Sequence, residues 1–113
     1  DRENELVRKR YDSLNFSFLN FLENIVKRCN QFNTPLSFCG EDAGKPIVAL
    51  AFTAIGIRTM SMRASSIGPV KLLLRSVSIS QVKKIIYSSR ESGKSSARED
   101  LTNWLRETKA PYF

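Results

Sequence analysis

The ten residues Pro46-Ile-Val-Ala-Leu-Ala-Phe-Thr-Ala-Ile55 are apolar around almost their whole circumference. Pro46 suits the first position of a helix, where its missing N–H is not needed, and Gly56 is a natural stop. A helix apolar on every side has to be buried on most of them, so the rest of the chain must supply its cover. On either side lies a short apolar or alternating segment, Leu36-Ser-Phe-Cys39 and Arg58-Thr-Met-Ser-Met62, each read as a strand. Strands separated by a helix imply parallel pairing and βα units.

Helices account for most of the remainder. Leu14, Phe18, Phe21, Leu22, Ile25, Cys29 and Phe32 recur at three- and four-residue steps, predicting a helix from about Phe16 to Phe32 with these residues as one apolar stripe. Asn15 is its expected N-cap, with Leu14 stapled onto Leu19, and Cys29 is expected in the core. A further helix is expected to be capped by Ser65 or Ser66 and to carry Val70, Leu72, Leu73 and Leu74. Ser78-Ile-Ser-Gln81 and Ser96-Ala-Arg-Glu99 both have capping-box spacing and predict two more helices, the first reaching about Tyr87. Ser88 to Ser95 reads as a linker, and Leu101, Trp104 and Leu105 share a face of the last helix.

The pattern is α/β but helix-rich. A parallel sheet needs neighbours on both edges and cover on both faces, so two strands alone are too few, and further strands are expected upstream. At 113 residues the chain is one domain or part of one. Residues 1–12 read as a loop segment, 13–77 as βα units and 78–113 as C-terminal helices. Two cysteines make no disulfide framework, no apolar run approaches the roughly 20 residues that span a bilayer, and Asp1-Arg-Glu-Asn-Glu5 is unlike a secretion signal. These observations predict a cytoplasmic protein.

Histidine is absent, which excludes a Ser-His-Asp triad, a Cys/His zinc site and histidine phosphorylation within this chain. The net charge is +7, and Arg58 to Arg98 holds nine basic side chains against one acid, Glu91. A basic helical module that binds nucleic acid is therefore an alternative reading. That stretch contains a single aromatic, Tyr87, and so lacks the stacking platform of single-strand binders. A solvated helical exterior is the simpler account.

In α/β folds ligands sit at the carboxyl ends of strands. Cys39 is at such an end, followed by Gly40-Glu-Asp-Ala-Gly44, and Met62-Arg-Ala-Ser-Ser-Ile-Gly68 follows the second strand. Gly40 and Gly44 would permit positive φ and a close approach of backbone to ligand. Spacing alone leaves Cys39 open between a packed structural thiol and a reactive group. Glu41 is open between a site acid and an acid favoured by the macrodipole of the helix beginning at Pro46, the second being preferred.

Pro35-Leu-Ser-Phe-Cys-Gly-Glu-Asp-Ala-Gly44 and Met60-Ser-Met-Arg-Ala-Ser-Ser-Ile-Gly-Pro-Val-Lys71 together resemble the C-terminal part of the phosphoenolpyruvate–protein phosphotransferases, the Enzyme I family. Gly44-Lys-Pro and Ser66-Ile-Gly-Pro-Val-Lys71 are closer to the nitrogen-regulatory branch, and Asp1-Arg-Glu-Asn-Glu5 is similar to a further family segment. The resemblance covers roughly residues 1–75. It implies a fold, the C-terminal fragment of a (β/α)₈ TIM barrel holding the last two strands and their helices. It also implies roles: Cys39 as proton donor to the enolpyruvate carbon, Arg2 as a grip on the phosphoenolpyruvate (PEP) anion, and Gly40, Glu41 and Gly44 as the supporting loop. A thiol can deliver a proton to one face of an enolate, and an arginine fork holds a phosphate or carboxylate through two hydrogen bonds.

The complete enzyme would use Mg²⁺ held by residues outside this chain, pass phosphate through its own histidine to a phosphocarrier protein, and dimerise. The fragment alone is expected to be inactive and, with unfinished strand edges, to self-associate. Three residues depart from the family pattern. Asp42 stands where an apolar residue is usual, Lys45 where the sugar branch has an acid, and Arg63 where a small residue is commoner.

Overall fold

A computed structural model describes residues 12–113. Its elements, in chain order, are α1 (Phe16–Gln31), β1 (Phe38–Cys39), a 3₁₀ turn (Glu41–Gly44), α2 (Pro46–Ala54), β2 (Met60–Ser61), α3 (Ala64–Ser76), α4 (Ile79–Glu91) and α5 (Arg98–Glu107). The strands pair in parallel, with Phe38 opposite Met60 and Cys39 opposite Ser61. Parallel pairing follows from the intervening α2, which carries the chain back past the sheet before β2 begins. Both strands are shorter than the sequence suggests: among the described residues only Phe38–Cys39 and Met60–Ser61 pair.

The apolar helix is the centre of the molecule. Val48, Ala49, Leu50, Ala51 and Phe52 are all fully buried, and α2 packs against α3, α4 and the 3₁₀ turn. Burial of each large side chain here is worth about 2 kcal/mol. The Phe52 ring meets the edge of Phe38 from β1, with centroids 4.8 Å apart, and Phe18 from α1 at 6.2 Å. It therefore joins the strand pair to the first helix. Gly56 ends α2 at φ 111°, with its amide bonded to the Thr53 carbonyl and the Ile57 amide to Phe52. That double bond is a Schellman closure, which needs a left-handed residue.

Asn15 caps α1 as the sequence predicts, its side chain accepting from the Ser17 amide at 2.7 Å, and Leu14 and Leu19 are both wholly buried. The apolar stripe is displaced from the expected one. Phe16, Leu19, Leu22 and Val26 form the buried face, whereas Phe21 and Phe32 are exposed and Cys29 is half-buried. Phe18 meets Phe52 of α2, and Val26 lies against Gly56, just past its end, while the Phe21 side is left uncovered among the described residues.

Two further boundaries shift. Helix α3 opens one or two residues before the expected caps, with Arg63 at the N-cap position, so Ser65 and Ser66 fall in its first turn and Pro69 inside it. Ser78 does accept from the Gln81 amide, but α4 continues to Glu91, past the expected end at Tyr87 and into the expected linker. At α5 the cap position is Ala97 and not Ser96. Ser96 is drawn elsewhere: its hydroxyl donates to Asp12 Oδ2 at 2.6 Å and accepts from the Arg98 amide.

That last contact belongs to a corner where the beginnings of α1 and α5 are joined. Phe16 N–H donates to the Ser95 carbonyl and Ala97 N–H to that of Leu14, both at 2.9 Å. Asp12 accepts from the Leu14 amide, the Ser96 hydroxyl and the Arg98 guanidinium. Burial pushes its carboxyl up, but those donors outweigh burial and hold it below the usual aspartate value. None of the helices in the described residues is long and apolar enough to cross a membrane.

Candidate active site

At the carboxyl end of the strand pair the backbone of β1 runs out at Cys39, whose side chain is exposed. Phe38 is held by its amide bond to the Thr59 carbonyl at 2.9 Å and by its ring against Phe52. Alternation along the strand then turns Cys39 away from that core contact. Among the described residues nothing packs Cys39 into the core. Cys29, by contrast, lies on α1 and is half-buried.

An open groove of about 630 Å³ begins at the next residue, lined by Gly40, Glu41, Gly44, Lys45, Ser61, Met62, Arg63 and Ser66. Both loops singled out in the sequence contribute to it. The glycines serve it differently from expectation. Gly40 has φ 161° and ψ 164°, an extended conformation open to any residue. Gly44 matters for space: a Cβ there would lie 2.8 Å from Ser66 Oγ and 3.2 Å from Ser66 Cβ. Its lack of a side chain lets the 3₁₀ turn close onto the first turn of α3.

Charge around the groove is organised in pairs. Glu41 accepts from Arg63 Nη2 at 3.1 Å, joining the loop after β1 to the loop after β2. Glu41 opens the 3₁₀ turn five residues before α2 begins, outside that helix's first turn, and its carboxylate faces Arg63. Asp42 accepts from the Ser13 hydroxyl at 2.5 Å and from Lys45 Nζ at 3.0 Å, which ties the turn back to the approach to α1. All three departures from the family pattern, Asp42, Lys45 and Arg63, thus take part in ion pairs at one place.

Arg2 lies outside the described residues. Among the described residues no three His, Cys, Asp or Glu side chains gather to hold a metal ion. Four of the nine cations in the basic stretch, Arg63, Arg90, Lys94 and Arg98, pair with Glu41, Glu23, Asp100 and Asp12. Sequence reading did not single out Ser61, which sits opposite Cys39 in the parallel register. Strand pairing was the only signal that could have placed it. Ser66 was read as a cap, and instead packs under Gly44 in the groove wall.

The residues that line this groove all fall within the part of the chain that matches a known family. The family described as PEP-utilising enzyme, PEP-binding domain, matches residues 1–79. A Salmonella typhimurium protein named "Phosphoenolpyruvate-dependent phosphotransferase system" is 33% identical over 92 residues, covering 81% of this chain and 12% of that protein. A Buchnera aphidicola phosphoenolpyruvate-protein phosphotransferase is 28% identical over 85 residues, 75% of this chain and 15% of its own length. A phosphoenolpyruvate synthase of Pyrococcus furiosus is 28% identical over 67 residues, 59% of this chain and 8% of its own. The chain thus spans about an eighth of the length of the Salmonella relative.

Proposed function

Since the chain belongs to the PEP-utilising enzymes, in their PEP-binding domain, we propose that it forms the cysteine-bearing end of a PEP-dependent phosphotransferase site. The supporting observation is the position of Cys39: exposed, at the carboxyl end of a parallel strand, and one residue from a groove built by the two loops. In this reading β1 and β2 are the last two strands of a (β/α)₈ barrel. The exposed Phe21 and Phe32 of α1 are consistent with packing against parts of a larger assembly, and we extend the proposal to a homodimer in the cytoplasm.

The chemistry is short. Transfer of the phosphoryl group to a histidine breaks the bond between phosphorus and the enol oxygen of PEP, leaving the enolate of pyruvate. That histidine has to lie outside this chain, which has none. The enolate C3 then takes a proton from Cys39 Sγ; a C–H bond forms, pyruvate leaves, and solvent reprotonates the thiolate. Phosphate passes from the histidine to a phosphocarrier protein. Arg2 would hold the PEP anion through its fork. Magnesium does not fit the described residues, so it is assigned to residues elsewhere and no step is routed through it. By itself the chain would be inactive.

The test is Cys39→Ala in the complete protein. Pyruvate formation should fall by about 10²–10⁴-fold, the usual contribution of a positioned proton donor, while PEP binding measured by calorimetry is kept. Wild-type turnover in the variant would overturn the assignment. Self-association is checked separately by light scattering, where a sharp monomer at high concentration would count against it.

A further inference from the structure

The two cations that line the groove are held in different ways. Lys45 is bound to Asp42, whose carboxylate also takes the Ser13 hydroxyl, so this pair is part of a three-residue anchor. Among the described residues Arg63 makes one ion pair, Nη2 to Glu41 Oε1 at 3.1 Å, between side chains 78% and 72% exposed. A pair so exposed favours its closed arrangement by a factor of about five at most. It also uses only part of the guanidinium, which can offer two parallel N–H groups to a carboxylate or phosphate.

We propose that Arg63 is a substrate-recognition residue held in reserve by Glu41, and that the carboxylate or phosphate of PEP exchanges for Glu41 on its guanidinium. This inference rests on the proposed function. A bidentate anion contact is stronger than the single contact it replaces, so exchange is favourable once a ligand enters. Glu41 then swings free, and because its pair with Arg63 joins the two loops across the groove, the same event releases one loop from the other. The groove's volume of about 630 Å³ lies within the usual range for small-molecule sites. Ligand charge is thereby selected: a neutral three-carbon analogue leaves the Glu41–Arg63 pair in place.

Calorimetric titration of the complete protein with PEP tests this. Glu41→Gln removes the competitor for Arg63 and should tighten PEP binding about two- to fivefold. Arg63→Ala should weaken it by about tenfold or more, with Arg63→Lys between, since an ammonium keeps the charge and loses the fork. In the double variant the gain from Glu41→Gln should vanish, which a merely structural role for Glu41 would not produce. Unchanged or weaker binding in Glu41→Gln overturns the exchange, and wild-type affinity in Arg63→Ala overturns recognition. If wild-type protein binds and turns over PEP while both single variants match it, this proposal alone falls. If the wild-type protein binds no PEP, the proposed function falls and takes this inference with it.

Discussion

At the corner between α1 and α5 the Asp12 carboxylate accepts from three different groups at 2.6–3.0 Å, with backbone bonds on either side. At the groove, Glu41 and Arg63 share a single contact between two largely exposed side chains. Both places use an ion pair to join segments far apart in sequence, yet they are different devices. The corner takes its carboxylate partly out of water and supplies three donors in return, so that losing one would leave a half-buried group unsatisfied, and so it holds. The groove leaves its charges in water, where a pair contributes little and can be exchanged. Fold and function are thus assigned to different ion pairs, and only the first kind should register in stability.

The largest expected effect lies beneath both regions. Phe52→Ala removes the ring that meets Phe38 and Phe18 and leaves a cavity in a fully buried position. A loss of about 3–5 kcal/mol in urea unfolding is expected, a large fraction of what a small domain has. A loss below about 1 kcal/mol would mean that α2 is not the common support of strand and first helix.

Asp12→Ala should come next. It strands the Ser96 hydroxyl and the Leu14 amide and frees Arg98, for a cost of about 1–3 kcal/mol. The pH dependence separates charge from shape. Asp12 titrates below the usual aspartate value in the folded protein, so the unfolded chain takes up its proton first as pH falls. Its contribution is fully present above the unfolded value and is lost as pH drops through the folded one. Urea midpoints of wild type and Asp12→Asn should therefore converge only as pH falls below the usual aspartate value of about 3.9 and on through the lower folded one. A constant gap would make the corner a matter of packing alone, and the contrast with the groove would lose its basis.

Gly44→Ala is expected to cost less, about 1–2 kcal/mol, because the new Cβ would overlap Ser66 and push the 3₁₀ turn off α3. Adding Ser66→Gly removes both atoms it meets and should recover most of the loss. Without recovery, Gly44 has some role other than close approach.

How far the sequence revealed all this follows from the range of each interaction. The apolar helix and the Asn15 and Ser78 caps are set by neighbours a few residues apart, and local pattern predicts them; the parallel order of β1 and β2 follows from the helix that lies between them. The Asp12 corner was not visible, since its partners are 84 and 86 positions away and no local spacing encodes such a meeting. At the same corner Ser96 accepts from the Arg98 amide, two residues on, in place of the Glu99 amide that a capping box would supply. The buried face of α1 was misjudged for a related reason: periodicity identifies candidate apolar positions, while tertiary contact with α2 chooses among them. At the site, Cys39, Gly44 and Glu41 were legible as a loop, but the contact between Glu41 and Arg63 requires β1 and β2 to be paired first.

The smallest expected effect is the one that most sharpens the contrast. Glu41→Gln removes the charge from a side chain 72% exposed, and the Arg63 guanidinium it leaves has water available to replace the lost acceptor. Stability should change by no more than about 0.5 kcal/mol, and the urea midpoint should barely move. The same substitution is expected to tighten PEP binding, so the two measurements part company on one variant. If the midpoint fell by as much as in Asp12→Ala, the groove pair would be an anchor of the same kind as the corner, and Arg63 would not be free to leave it for a ligand.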